Sequence, residues 1–153
     1  MNINEHAPAK STREMYIKAT PDAVWTILTD IDRWSTWNRA VSRARLDGAF
    51  VPGSTFHWIS RAASIVSTLQ DVERPRRVSW TRESFAMSAV HVWTFEASGT
   101  GVLVRTSESF DGWVVWLLRW RFQRFLDRAL EAMLLSLKTA AERHGYKSGI
   151  APE

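Results

Sequence analysis

Residues 87–110, MSAVHVWTFEASGTGVLVRTSESF, alternate in side-chain character on either side of a Ser98-Gly99-Thr100-Gly101 turn. Alternation puts Ala89, His91, Trp93 and Phe95 on one face of strand 87–97. It does the same for Val102, Val104, Thr106, Glu108 and Phe110 of strand 101–110. So short a connection predicts an antiparallel hairpin. Upstream, the same period marks strands 40–47, 54–60, 63–73 and 76–84, separated by Pro52-Gly53, Arg61-Ala62-Ala63 and Arg74-Pro75. Their inward sets are Phe56, Trp58 and Ser60, then Val78, Trp80, Arg82 and Ser84. A first strand spans 11–18, with Met15 and Ile17 on one face.

Two short helices follow that first strand. Thr20 can cap, Pro21 suits the first helical position and Asp22 complements the dipole. Ala23, Val24, Ile27 and Leu28 then recur at helical spacing, and residues 31–37 bring Trp34 and Trp37 to one side. Downstream of the hairpin the period turns helical again. Leu118, Phe122, Phe125, Ala129, Met133, Leu137 and Ala140 mark a stripe on one long helix over 112–145, with Gly145 as its stop. The expectation is a single α+β domain over 11–145 with tails at 1–10 and 146–153. A seven-stranded antiparallel sheet must cover its apolar face, and the long helix is the element large enough to do so.

Composition narrows the function. The chain of 153 residues has nine tryptophans and no cysteine. Disulfides, thiolate catalysis and cysteine-based zinc sites are excluded. So many tryptophans, each burying roughly 150–250 Å², exceed what a compact core of this size needs and point to an aromatic-lined cavity. The formal charge is +4, much of it from arginine. With Asp127 and Glu131 among Arg119, Arg121, Arg124 and Arg128, no polyanion footprint forms and no nucleic-acid partner is expected. The N-terminus has no signal-peptide core, and the run Trp113 to Leu118 stops far short of the ~20 residues a membrane span needs. A soluble, cytoplasmic protein is expected, monomeric or homodimeric.

TPDAVWTILTDIDRWSTWN, residues 20–38, resembles the opening of the polyketide cyclase/dehydrase branch of the START-like (SRPBCC) superfamily. The matching features are Pro21, the Val24-Trp25 pair, Asp30 to Trp34, and Trp37. VERPRRVSW, residues 72–80, is similar to that family's Pro-containing hairpin. Trp93-Thr94-Phe95-Glu96 with Gly101-Val102-Leu103-Val104 is similar to its next one. The resemblance covers about Ser11 to His144. It implies the helix-grip fold: a curved antiparallel sheet wrapped around the C-terminal helix, with a cavity between. It carries over no shared catalytic signature, because cyclases, lipid and hormone binders and chaperone-associated modules share this fold.

The expected cavity wall is Trp58, Trp80, Trp93 and Phe95 from the strands and Trp116, Trp120 and Phe125 from the helix. Each of these could instead simply fill the core. Arg82, His91 and Glu108 are the polar candidates on the same face. Arg82 and Glu108 either line the pocket, paired, or form an exposed strand-end ion pair. His91 and Glu108 are the candidate acid/base groups. His57 and His91 point to opposite faces, so no metal site is expected, and no cofactor. In GWVVWLLRWRFQRFL, residues 112–126, the apolar side is expected on the sheet and the arginines in water, in preference to a membrane contact. Trp113 and Trp116 remain candidates for a cavity mouth, a lipid-facing tip or a dimer contact. Binding of a hydrophobic small molecule is the leading reading. A cyclase/dehydrase-type enzyme and an interaction module are the alternatives.

Overall fold

Every strand of the alternating region pairs antiparallel with its sequence neighbour in the computed structural model, which describes residues 1–148. The elements are β1 (Ala9–Ile17), α1 (Pro21–Thr29), a 3-10 turn (Ile31–Arg33), α2 (Trp34–Trp37), β2 (Val41–Leu46), β3 (Thr55–Ser60) and β4 (Ala63–Glu73). They continue with β5 (Arg77–Glu83), β6 (Ser88–Ser98), β7 (Gly101–Asp111), α3 (Trp113–Leu117) and α4 (Arg119–Ser148). One seven-stranded sheet runs β1-β7-β6-β5-β4-β3-β2. The expected α+β helix-grip is the fold observed.

Local chemistry explains the helix starts. Thr20 accepts a bond from the Ala23 N–H at 3.1 Å, with Pro21 in the first turn. The α1 face of Val24, Trp25 and Leu28 is buried against the sheet and α4. Edge strand β1 is closed off by α4. Gln123 both accepts from the Lys10 N–H (3.1 Å) and donates to the Lys10 carbonyl (2.7 Å), replacing a neighbouring strand. Lys138 holds the other end of the same edge through the Tyr16 carbonyl at 2.9 Å.

Three boundaries differ from expectation. β1 begins at Ala9 rather than Ser11, and the segment before it is anchored, with the Asn4 N–H donating to Ser109 Oγ at 3.0 Å. The long helix is broken at Leu118 (φ −114°, ψ 29°). That bend lets Val115 on one side and Leu126 on the other reach a single buried cluster with Ala9, Ala89 and Phe110. Gly145 does not end α4, since a glycine weakens a helix interior by about 1 kcal/mol without forbidding it. The rest of the expected C-terminal tail, 149–153, lies outside the described residues.

The expected stripe on α4 proves to be two adjacent stripes. Leu126, Leu130, Leu134, Leu137 and Ala141 are fully buried against the sheet. Phe122, Phe125, Ala129 and Met133, one position round the helix, face a cavity instead.

Candidate functional site

The cavity has a volume of about 500 Å³ and lies between the curved sheet and the Phe122–Met133 stretch of α4. It separates two buried clusters. Trp34, Val41 and Trp80 line it from one, Phe110 and Leu130 from the other. Its deep wall is a set of edge-to-face aromatic contacts: Trp34 on Phe56 at 5.5 Å, Trp34 on Trp58 at 5.7 Å and Phe56 on Trp80 at 5.6 Å. Trp34 and Trp58 are fixed by their indole N–H groups, donated to the Leu28 carbonyl (2.8 Å) and Ser67 Oγ (3.1 Å).

Register places the polar groups. Trp80, His91 and Glu108 lie side by side across β5, β6 and β7, and Arg82, Ala89 and Phe110 form the neighbouring row. The small Ala89 between them leaves room for the Arg82 guanidinium to reach the face of Phe110, 4.9 Å from its centroid. The Arg82 Nε is buried with no hydrogen-bond partner. An arginine cannot discharge, so this is a cation with unmet hydrogen-bonding capacity in an aromatic cavity.

The expected Arg82–Glu108 pair is not formed as an ion pair. Glu108 instead stands 3.7 Å from His91 Nδ1. That contact is not an ion pair at neutral pH either. Burial, helped by the Arg82 charge, lowers His91 to about 3, so its ring is neutral. Burial pushes Glu108 up to about 7 against the pull of Arg82. His91 Nε2 shares a hydrogen bond of 2.7 Å with Thr106 Oγ1, and the ring stacks on Trp93 at 5.4 Å. The result is a carboxyl group poised between its two protonation states, beside a fixed cation.

Of the ten candidate residues, Trp58, Trp80, Arg82, His91, Glu108 and Phe125 line the cavity. Trp93 and Phe95 face inward but sit in filled core; Trp25 packs edge-on against Phe95 at 5.8 Å. Trp116 and Trp120, expected on the wall, are 67% and 59% exposed, because the bend at Leu118 turns them away from the sheet. Sequence reasoning left out Trp34, Asn38, Phe122, Met133 and Arg61. Phe122 and Met133 belonged to the recognised helical stripe, and that stripe was the available signal. Arg61 lies at the rim, its guanidinium 5.7 Å from the Phe125 centroid. His57 is on the outer face as expected, 3.0 Å from Asp47. No group of metal-ligating residues occurs among the described residues.

Residues 8–142 match the model of a family described as polyketide cyclase/dehydrase and lipid transport. The chain belongs to that family. No curated protein matches it in sequence. Among solved structures, a hypothetical protein from Helicobacter pylori is similar with a TM-score of 0.79 at 15% identity, over 92% of this chain and 97% of that one. A di-domain aromatase/cyclase from the steffimycin biosynthetic pathway gives 0.74 at 14%, over 90% of this chain and 52% of its own. A START superfamily protein from Mycobacterium smegmatis gives 0.69 at 11%, over 88% and 97%. At these identities the likeness is one of fold. No helix among the described residues is long and apolar enough to cross a membrane.

Proposed function

We propose that this family member binds a hydrophobic small molecule, aromatic, polyketide-like or lipid-like, between the sheet and α4, and that Arg82 holds an acidic or enolic oxygen of it. One observation carries this reading: a guanidinium whose buried Nε lacks any partner, inside an otherwise aromatic cavity of about 500 Å³. Pockets combine an apolar lining with a few polar anchors, and a ligand anion is the partner this cation lacks. A hollow rather than solid centre weighs against a pure interaction module.

A second reading, a cyclase/dehydrase-type enzyme in the same cavity, is favoured by Glu108. A carboxyl near 7 that faces the cavity can take a proton from an acidic carbon and return it to an oxygen. His91, neutral and held by Thr106, would then position Glu108 rather than titrate.

Two probes test the binding reading. Anilinonaphthalene sulfonate is an aromatic anion, and phenylnaphthylamine is a close neutral analogue. The native protein should bind the anion more tightly than the neutral dye. Arg82→Leu should abolish that preference, weakening the anion by at least about tenfold while sparing the neutral dye. Ala129→Trp should block both by filling the cavity. Equal binding of the anion before and after Arg82→Leu would remove Arg82 from the reading. Native mass spectrometry of protein from its own host then identifies the natural passenger.

A further inference from the structure

α3 and the first turn of α4 carry an apolar stripe that the sheet does not cover. Trp113, Trp116 and Leu117 recur at i, i+3 and i+4 on α3, Trp120 follows just past the bend at Leu118, and the four are 62%, 67%, 63% and 59% exposed. The inward positions of the same stretch are others, Val115 and Leu126. Phe85, 98% exposed in the β5–β6 loop, stands at the same end of the molecule. That loop packs on Gly112, the residue before α3, so closely that a Cβ there would lie 2.3 Å from the Ala86 carbonyl oxygen. Three exposed tryptophans within eight residues, on the two helices that meet at Leu118, mark a contact surface rather than scattered apolar residues.

The neighbouring charges select its partner. Arg119, Arg121, Arg124 and Arg128 are all exposed, and the first turn of α4 has no acid. None of these arginines forms an ion pair among the described residues. The nearby Asp127 is turned toward β1, where Ser11 donates to it and Arg13 lies 3.4 Å away. Arg121 lies over the Trp120 ring at 5.4 Å, as a snorkelling cation beside an interfacial aromatic does. A second copy is a poor fit, because a two-fold contact through this stripe would set arginine against arginine. An anionic lipid surface satisfies the tryptophans and the arginines together.

We infer that the α3–α4 corner docks this protein onto an anionic membrane surface. Docking there sets the cavity rim at Phe125 and Arg61 beside the bilayer, where an apolar ligand would be taken up or delivered. The docking itself does not depend on what the cavity holds.

The test is co-sedimentation of the full chain with two kinds of vesicle. One is phosphatidylcholine mixed with phosphatidylglycerol, the other phosphatidylcholine alone. The protein should pellet with the anionic vesicles at low salt and be released by high salt. Joint Trp116→Ala and Trp120→Ala substitution should cut partitioning by about tenfold or more. Arg121→Gln and Arg124→Gln should each cut it by about fivefold. These side chains are outside the core, so unaltered melting curves verify that the variants fold. Failure to pellet with anionic vesicles at low salt would overturn the inference, and so would pelleting indifferent to the tryptophan pair. A solution dimer that the same pair returns to monomer would assign the stripe to self-association instead. Loss of vesicle binding with dye binding intact separates this surface from the cavity.

Discussion

Trp34, Trp58 and Trp80 form the deep wall of the cavity, while Trp113, Trp116 and Trp120 stand in the open at the α3–α4 corner. Both trios contain one residue type, and both begin with a tryptophan on a short helix, Trp34 on α2 and Trp113 on α3. The difference is what meets them. Trp34 projects from α2 onto inward-facing Phe56 of β3 and Trp80 of β5. The outer tryptophans leave a helix whose opposite side, through Val115 and Phe122, has already taken up the room over β7. Aromatic content alone says how much apolar surface a chain carries; the element behind each ring decides whether that surface becomes a wall or a contact face.

The largest expected effect tests that contrast directly. Trp34→Ala removes a fully buried ring with a satisfied N–H, and should cost about 3–5 kcal/mol in chemical denaturation. Trp116→Ala should shift stability by no more than about 0.5 kcal/mol. Similar losses from the two would mean that the corner is packed against something in the free protein, and the comparison would fail.

The next test asks whether the cavity wall is as dry as its aromatic lining implies. Glu108 titrates at about 7 when folded, against 4.5 as its ordinary value. Between those values the unfolded chain has lost the proton that the folded chain keeps, so stability falls as pH rises through this window. His91 works in the opposite sense: below 6.5 the unfolded ring is charged and the folded one is not, so stability falls as pH drops toward about 3. The two slopes oppose each other between 4.5 and 6.5. Glu108→Gln removes one of them. Relative to the native protein, the variant should gain up to ~3 kcal/mol between pH 4.5 and 7, read from denaturation midpoints across that range. A pH-independent difference would mean that water reaches the carboxyl freely.

The sheet was legible in the sequence because a period of two, punctuated by Gly and Pro turns, has few other physical solutions. Facing was legible for the same reason, and His57 and His91 do lie on opposite sides. Position along a strand was not. Alternation assigned Trp93 and Phe95 to the same face as His91, but could not tell that α1 brings Trp25 against Phe95 and fills that end. Residues 113–122 are apolar on more than one side, so the pattern could not say which side would meet the sheet. The bend at Leu118 decided it. Trp34 escaped notice as a wall residue because it enters from a one-turn helix, where periodicity has little length to act on.

The smallest effect lies at the rim, between the two aromatic regions. β3 and β4 are joined by Arg61 and Ala62, and Ser60 and Ala63 pair across the turn. Both linking residues have positive φ, 49° and 69°. A two-residue hairpin of that shape favours Asn or Gly, and an alanine held there is strained. The strain is tolerated at a place where Arg61 reaches Phe125 over the cavity. Ala62→Gly should relieve it and raise stability by about 0.5–1 kcal/mol, net of the extra freedom glycine gives the unfolded chain. Arg61 keeps its side chain in this variant, so the affinity for the naphthalene dyes should stay within about twofold. A gain in stability with a large loss of dye affinity would mean that the strained turn itself holds the rim in a binding shape. Arg61 would then belong to the binding site rather than only to its edge.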